Sequence, residues 1–123
     1  MHALPPILIV DDNSEAREFL TMLLQMQGSS EIAGAHSGEE ALERLARERF
    51  GLIICDYHLG GMDGLEFIRN FRACGGATPV LLLTGSGDES IRAGTAQHSR
   101  VGFFTKPFTI GELGEQIQRL LAT

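Results

Sequence analysis

No apolar run in the 123 residues approaches the roughly 20 consecutive residues that a membrane-spanning helix requires. The opening MHALPPILIV lacks the basic flank and small-residue cleavage site of a secretory signal. A cytoplasmic protein with no membrane contact is expected. Cysteine is scarce: Cys55 ends the apolar run LIIC and Cys74 stands beside a glycine pair, a pattern that matches neither a disulfide framework nor a zinc site. Reduced thiols follow. Basic residues are outnumbered, ten Lys and Arg against sixteen Asp and Glu for a formal charge of −6, and they are scattered singly. Direct nucleic-acid binding depends on clustered Lys and Arg and is therefore not expected. No linker, charge block, low-complexity tract or repeat divides the chain. Residues 1–123 read as one domain around one core, with no output domain.

What is present is an alternation. The short apolar runs ILIV (7–10), EIAGAH (31–36), LIIC (52–55), VLLL (80–83) and VGFF (101–104) are separated by amphipathic stretches. Three of the runs are apolar nearly throughout, as expected of parallel strands covered on both faces. A first helix near 14–27 places Phe19, Leu20, Leu23 and Leu24 on one face and closes at Gly28. Ser37 with Glu40, Asp63 with Glu66, and Thr109 with Glu112 have the spacing of reciprocal capping boxes and start helices two, three and five. Helix five carries Leu113, Ile117, Leu120 and Leu121 as a stripe. Helix four, within 88–98, has the weakest pattern, because Gly94 and Thr95 fall in its interior. The expectation is an α/β, doubly wound (βα)5 unit, whose ligands sit outside the carboxyl ends of the strands.

Those ends hold the chemistry. Asp11 and Asp12 follow the first strand, Asp56 the third, Thr84 the fourth and Lys106-Pro107 the fifth. Two carboxylates about 4 Å apart repel by roughly 4 kcal/mol at an effective dielectric of 20. Positive charge must balance them. Lys106 supplies one unit, and a divalent cation is the natural second. Oxygen ligands without a His or Cys cluster select a hard ion, Mg²⁺ before Ca²⁺ before Mn²⁺, and Mg²⁺ completes its shell with water and phosphate.

Asp11-Asp12, Asp56, Thr84 and Lys106-Pro107, together with Met62-Asp63-Gly64, resemble the signature of the response regulator receiver domain, in order and over nearly the whole chain. The resemblance implies a flavodoxin-like five-stranded parallel sheet of order 2-1-3-4-5. It makes Asp56 the phosphate acceptor. Asp12 becomes the chief carboxylate Mg²⁺ ligand, Asp56 a direct one and Asp11 one acting through water, with the backbone carbonyl of His58 completing the protein ligands; Mn²⁺ can substitute. Thr84 and Lys106 would bind the phosphoryl group, Pro107 would be a cis-proline, and Thr84 with Phe103 would form the switch that reshapes the face of helix four, strand five and helix five. The implied partners are a histidine kinase or histidine phosphotransfer protein and an unknown downstream protein. The domain catalyses only its own phosphorylation and dephosphorylation.

The sequence departs from the family pattern at several points. Gly60 stands where proline is common, Ser99-Arg100 replaces Gly-Ala before strand five, and Phe103 replaces tyrosine. His58 and Ser86 occupy positions that resemble those tuning acyl-phosphate lifetime. Taken alone, Asp63 is a helix cap, Cys55 and Tyr57 are packing residues, one of Phe103 and Phe104 is core, and His2, His36 and His98 are surface residues. Two alternatives compete with the receiver reading. One is an unphosphorylated pseudo-receiver acting only through protein contacts. The other is a phosphohydrolase of the haloacid-dehalogenase type, which needs a second aspartate where this chain has His58.

Overall fold

The computed structural model describes residues 4–29, 31–85 and 89–122. Two residues singled out above, His2 and Ser86, lie outside them. Five strands, β1 (Ile7–Val10), β2 (Ile32–Ala35), β3 (Leu52–Asp56), β4 (Val80–Thr84) and β5 (Val101–Thr105), alternate with helices α1 (Ser14–Met26), α2 (Gly38–Leu45), α3 (Gly64–Ala73), α4 (Glu89–Ala96) and α5 (Ile110–Leu121). All strand pairs are parallel, in the order β2-β1-β3-β4-β5, as expected.

Strand side chains alternate between the two faces, and each face has its own core. Ile7, Ile9, Ile54, Leu81 and Leu83 pack against Leu20, Leu23 and Leu24 of α1 and Leu113, Ile117 and Leu120 of α5. Leu8, Val10, Ile53, Cys55 and Leu82 pack against Ala41 of α2, Phe67, Ile68 and Phe71 of α3 and Ile91 of α4. Complete burial of each large aliphatic or aromatic side chain contributes about 1.5–3 kcal/mol. The three central strands are therefore the rigid base from which the functional loops project.

Phe19 departs from its expected place: it is 55% exposed, while Leu20, Leu23 and Leu24 are buried. A turn of about 100° per residue sets Phe19 at the flank of that stripe, where it lines a surface cleft.

The helix caps also differ in part. Ser37 Oγ accepts from the Glu40 amide at 3.0 Å, but Glu40 Oε1 accepts from the His36 amide at 2.6 Å, one residue before the cap. Asp63 Oδ1 accepts from the Glu66 amide at 2.9 Å, as a simple cap. The full reciprocal box forms at Thr109 and Glu112 (3.1 and 2.8 Å). At α1 the cap is Asn13, whose side chain accepts from the Ala16 amide. Gly28 follows α1 at φ +95°, the left-handed conformation that stops a helix.

Candidate functional site

The parallel register brings four strand ends to one edge. The Asp11 amide donates to the Ala35 carbonyl at 3.0 Å and the Lys106 amide to the Thr84 carbonyl at 2.8 Å, so both residues are held by extensions of the sheet. Asp56 closes β3 opposite Leu83, and Thr84 closes β4 opposite Thr105.

Asp56 is the centre. Its carboxylate is largely buried; Oδ1 accepts from Lys106 Nζ at 2.7 Å and Oδ2 from the His58 amide at 3.1 Å. Lys106, fifty positions away in the chain, keeps its side chain partly exposed. The Lys106–Pro107 peptide bond is cis. Thr84 is fully buried.

Asp11 is buried too, and its Oδ1 accepts from the Asn13 amide at 3.0 Å. Burial pushes the Asp11 carboxyl above the ordinary range, the Asn13 amide opposes that, and the charges of Asp56 and Asp12 add to it while Lys106 pulls it down. The two buried carboxylates thus repel across the site and share one lysine. Asp12 is exposed and leans toward the loop after β3, since a Cβ at Gly60 would lie 3.4 Å from its Oδ2. Among the described residues, no three His, Cys, Asp or Glu side chains are already drawn into a closed metal-binding cluster.

The loop between β3 and α3 owes its path to glycine. Gly60 and Gly61 have φ values of +58° and +80°. Proline, fixed near −65°, cannot adopt the Gly60 backbone, so the departure from the family pattern reflects a different turn. Gly64 is needed for close approach: a Cβ there would lie 2.6 Å from Leu82 Cδ1 and 2.9 Å from the Asp56 carbonyl oxygen. Its amide donates to the Tyr57 carbonyl at 2.8 Å, closing the base of the loop. The His58 ring is exposed and meets the Tyr57 ring edge-on at 4.9 Å.

Of the two aromatics on β5, Phe103 packs on the α4 side and Phe104 on the α5 side. Both are half-buried, so neither is a full core residue. The Arg92 guanidinium of α4 lies 4.7 Å from the Phe103 ring centre, within cation–π range. Asp11 and Lys106 also border a cleft of about 350 Å³ between α1 and the start of α5, lined by Phe19, Leu20, Leu83 and Phe108.

Sequence reasoning overlooked Asn13, Arg17 of α1, whose Nη1 donates to the Asp11 carbonyl, Arg92 and the steric role of Gly64. Asn13 had a usable signal, a capping residue immediately ahead of an apolar-periodic stretch. The others act through backbone carbonyls, a ring face or empty space, which leave no local pattern.

A doubly wound sheet of order 2-1-3-4-5 with acidic residues and a lysine at its carboxyl edge defines the CheY-like class of flavodoxin-type α/β proteins. Residues 7–118 match the response regulator receiver domain, and the chain belongs to that family, the receiver of two-component signalling. It is 35% identical over 115 residues to the response regulator MprA of Mycobacterium avium, covering 94% of this chain and 50% of that protein. Among solved structures, the chemotaxis response regulator CheY4 of Vibrio cholerae superposes with a TM-score of 0.85 at 30% identity, covering 96% and 99% of the two chains. TrrA of Thermotoga maritima, determined in complex with Mg²⁺-BeF, superposes with a TM-score of 0.83 at 31% identity, covering 95% and 99%. The chain spans half or less of the length of the first curated relatives it matches. Among the described residues, no helix is long and apolar enough to cross a membrane.

Proposed function

We propose that the domain accepts a phosphoryl group on Asp56 from a phosphohistidine of a histidine kinase or histidine phosphotransfer protein. The observation that carries this reading is the Asp56 carboxylate itself, recessed at the sheet edge with Lys106 on one oxygen at 2.7 Å and the His58 amide on the other. In the reaction, an Asp56 oxygen forms a bond to phosphorus as the phosphorus–nitrogen bond breaks, and the donor imidazole leaves with the electron pair. Such transfer depends on positioning and on neutralising the equatorial oxygens. Lys106 supplies one fixed charge there, and the Thr84 hydroxyl donates to a phosphoryl oxygen.

The residues fit a hard divalent cation. Asp11, Asp12, Asp56 and the His58 carbonyl offer oxygen only, and an incomplete protein shell suits Mg²⁺, which keeps several waters; Mn²⁺ substitutes. When bound, the ion supplies further charge neutralisation at the transferring oxygens. The mutual repulsion of Asp11 and Asp56 supports the need for it, and the Mg²⁺-BeF complex of TrrA is consistent with it.

Phosphorylation then biases a two-state element. Thr84 and Phe103 move together, the α4–β5–α5 face changes, and a downstream protein or an output domain reads the change. No external substrate is turned over, and the domain itself contacts neither nucleic acid nor membrane.

Incubation with Mg²⁺ and acetyl phosphate, followed by intact mass, tests the proposal. Wild type gains one phosphoryl group only with Mg²⁺, and Asp56→Asn gains none. No adduct under any condition supports a pseudo-receiver instead, and sustained hydrolysis of unrelated phosphoesters supports a hydrolase.

A further inference from the structure

The acidic pair after β1 is held from outside the site. Asp11 is fixed at three points: its amide by Ala35, its carboxylate by the Asn13 amide, and its carbonyl oxygen by Arg17 Nη1 at 2.6 Å. The third contact is a charge-assisted bond, among the stronger kinds. It restrains the peptide joining Asp11 to Asp12, and so the direction in which Asp12 leaves the strand.

Arg17 reaches that carbonyl by crossing the edge strand β2 at Gly34. A Cβ on Gly34 would stand 3.2 Å from Arg17 Cδ and 3.4 Å from Nε, tighter than ordinary contact. The Gly34 carbonyl is itself held by Arg44 Nη1 of α2 at 3.1 Å. The strand therefore cannot easily retreat from a larger side chain.

We infer that Arg17 is a positioning residue for the Asp11-Asp12 cation ligands, acting through the Asp11 main-chain carbonyl, and that Gly34 is required to give its side chain passage. The inference rests on the cation-dependent reading above. Arg17 touches neither carboxylate in this arrangement. Its role is to fix geometry, and its loss weakens cation binding more than it weakens phosphoryl transfer once the cation is saturating.

Isothermal titration of Mg²⁺ into the full chain tests this, with thermal melts in EDTA and acetyl phosphate labelling at saturating Mg²⁺ alongside. Arg17→Met raises the Mg²⁺ Kd about tenfold, the effect expected of losing a group that orients a metal ligand. Labelling returns toward wild type at high Mg²⁺. Arg17→Lys, which can still reach a carbonyl, recovers part of the affinity. Gly34→Ala weakens binding in wild type and adds nothing in the Arg17→Met background, because both act through one contact.

An unchanged Mg²⁺ Kd in a folded Arg17→Met protein, or full additivity with Gly34→Ala, overturns the inference. Should Arg17→Met fail to fold, the Arg17→Lys and Gly34→Ala affinities decide it: both at wild-type Kd overturn it. Asp12→Asn separates the two layers. Mg²⁺ binding by wild type that Asp12→Asn abolishes leaves the cation reading standing, so the Arg17 variants judge the inference alone. Wild type that binds no Mg²⁺ removes both.

Discussion

Asp11 is a carboxylate whose charge the fold holds at a cost. Burial and two neighbouring carboxylates raise its pKa above the ordinary value. Between the unfolded and the raised folded values, the native state holds more protons than the unfolded chain. Stability therefore falls as pH rises through that window, and the full penalty persists above it. In metal-free protein, Asp11→Asn is expected to melt at a higher temperature than wild type at pH 7. The advantage should shrink as pH falls and vanish well below about pH 4, where aspartate is protonated in both states. Asparagine can still accept from the Asn13 amide, so the comparison isolates charge. An Asp11→Asn protein no more stable at pH 7 than wild type, with EDTA present, would contradict the electrostatic account of the site.

At the scale of single elements, the turn from α4 to β5 carries local strain. Arg100 adopts φ +58° where the family pattern has Gly-Ala at 99–100, and its carbonyl accepts from the Val80 amide at 3.1 Å. A left-handed L-residue costs about 1–2 kcal/mol, against roughly 0.5–1 kcal/mol of extra unfolded-state freedom for glycine. Arg100→Gly should thus be neutral to about 1 kcal/mol more stable in urea titration, and Arg100→Val clearly less stable than wild type. The sequence marked this turn as unusual through Ser99-Arg100, although it could not supply the dihedral angle. Elements were most legible where period decided them: ILIV, LIIC and VLLL became β1, β3 and β4, each nearly as read. Helix four, read within 88–98, spans Glu89–Ala96. Phe19 was misplaced because a stripe drawn from apolar residues alone does not define where the centre of the buried face lies.

Across the whole molecule, the edge opposite the carboxylates is tied together by one side chain. Arg72, at the end of α3, donates to the carbonyls of Thr78 (2.9 Å) and Ser99 (3.1 Å), with longer bonds to Gly76 and Arg100. It joins the loops that precede β4 and β5. Hydrogen bonds from a charged group are worth about 1.5–3 kcal/mol, so Arg72→Met should lower stability by about 2 kcal/mol in urea titration. Asp56 labelling of the folded protein should survive, because the tie lies far from the reacting edge. Arg72 had no sequence signal, since every acceptor is main chain. The candidate site was legible as a constellation through its family resemblance, residue by residue, while the 2.7 Å pairing of Lys106 with Asp56 depends on a register that spans three strands, β3, β4 and β5. Most of the fold was read from repetition along the chain; what escaped were contacts between distant segments whose chemistry is not encoded by residue type.

The bond from the Gly64 amide to the Tyr57 carbonyl closes residues 58–63 into a loop beside Asp56, with Leu59 buried in the core and Asp63 capping α3. A substitution at an exposed position of that loop, such as His58, alters the surroundings of the Asp56 carboxylate, whereas one at Leu59 reaches the core and one at Asp63 reaches α3. Under the proposed phosphoacceptor reading, such exposed loop positions set the pace of chemistry at Asp56, while the buried and capping positions of the same loop hold the architecture.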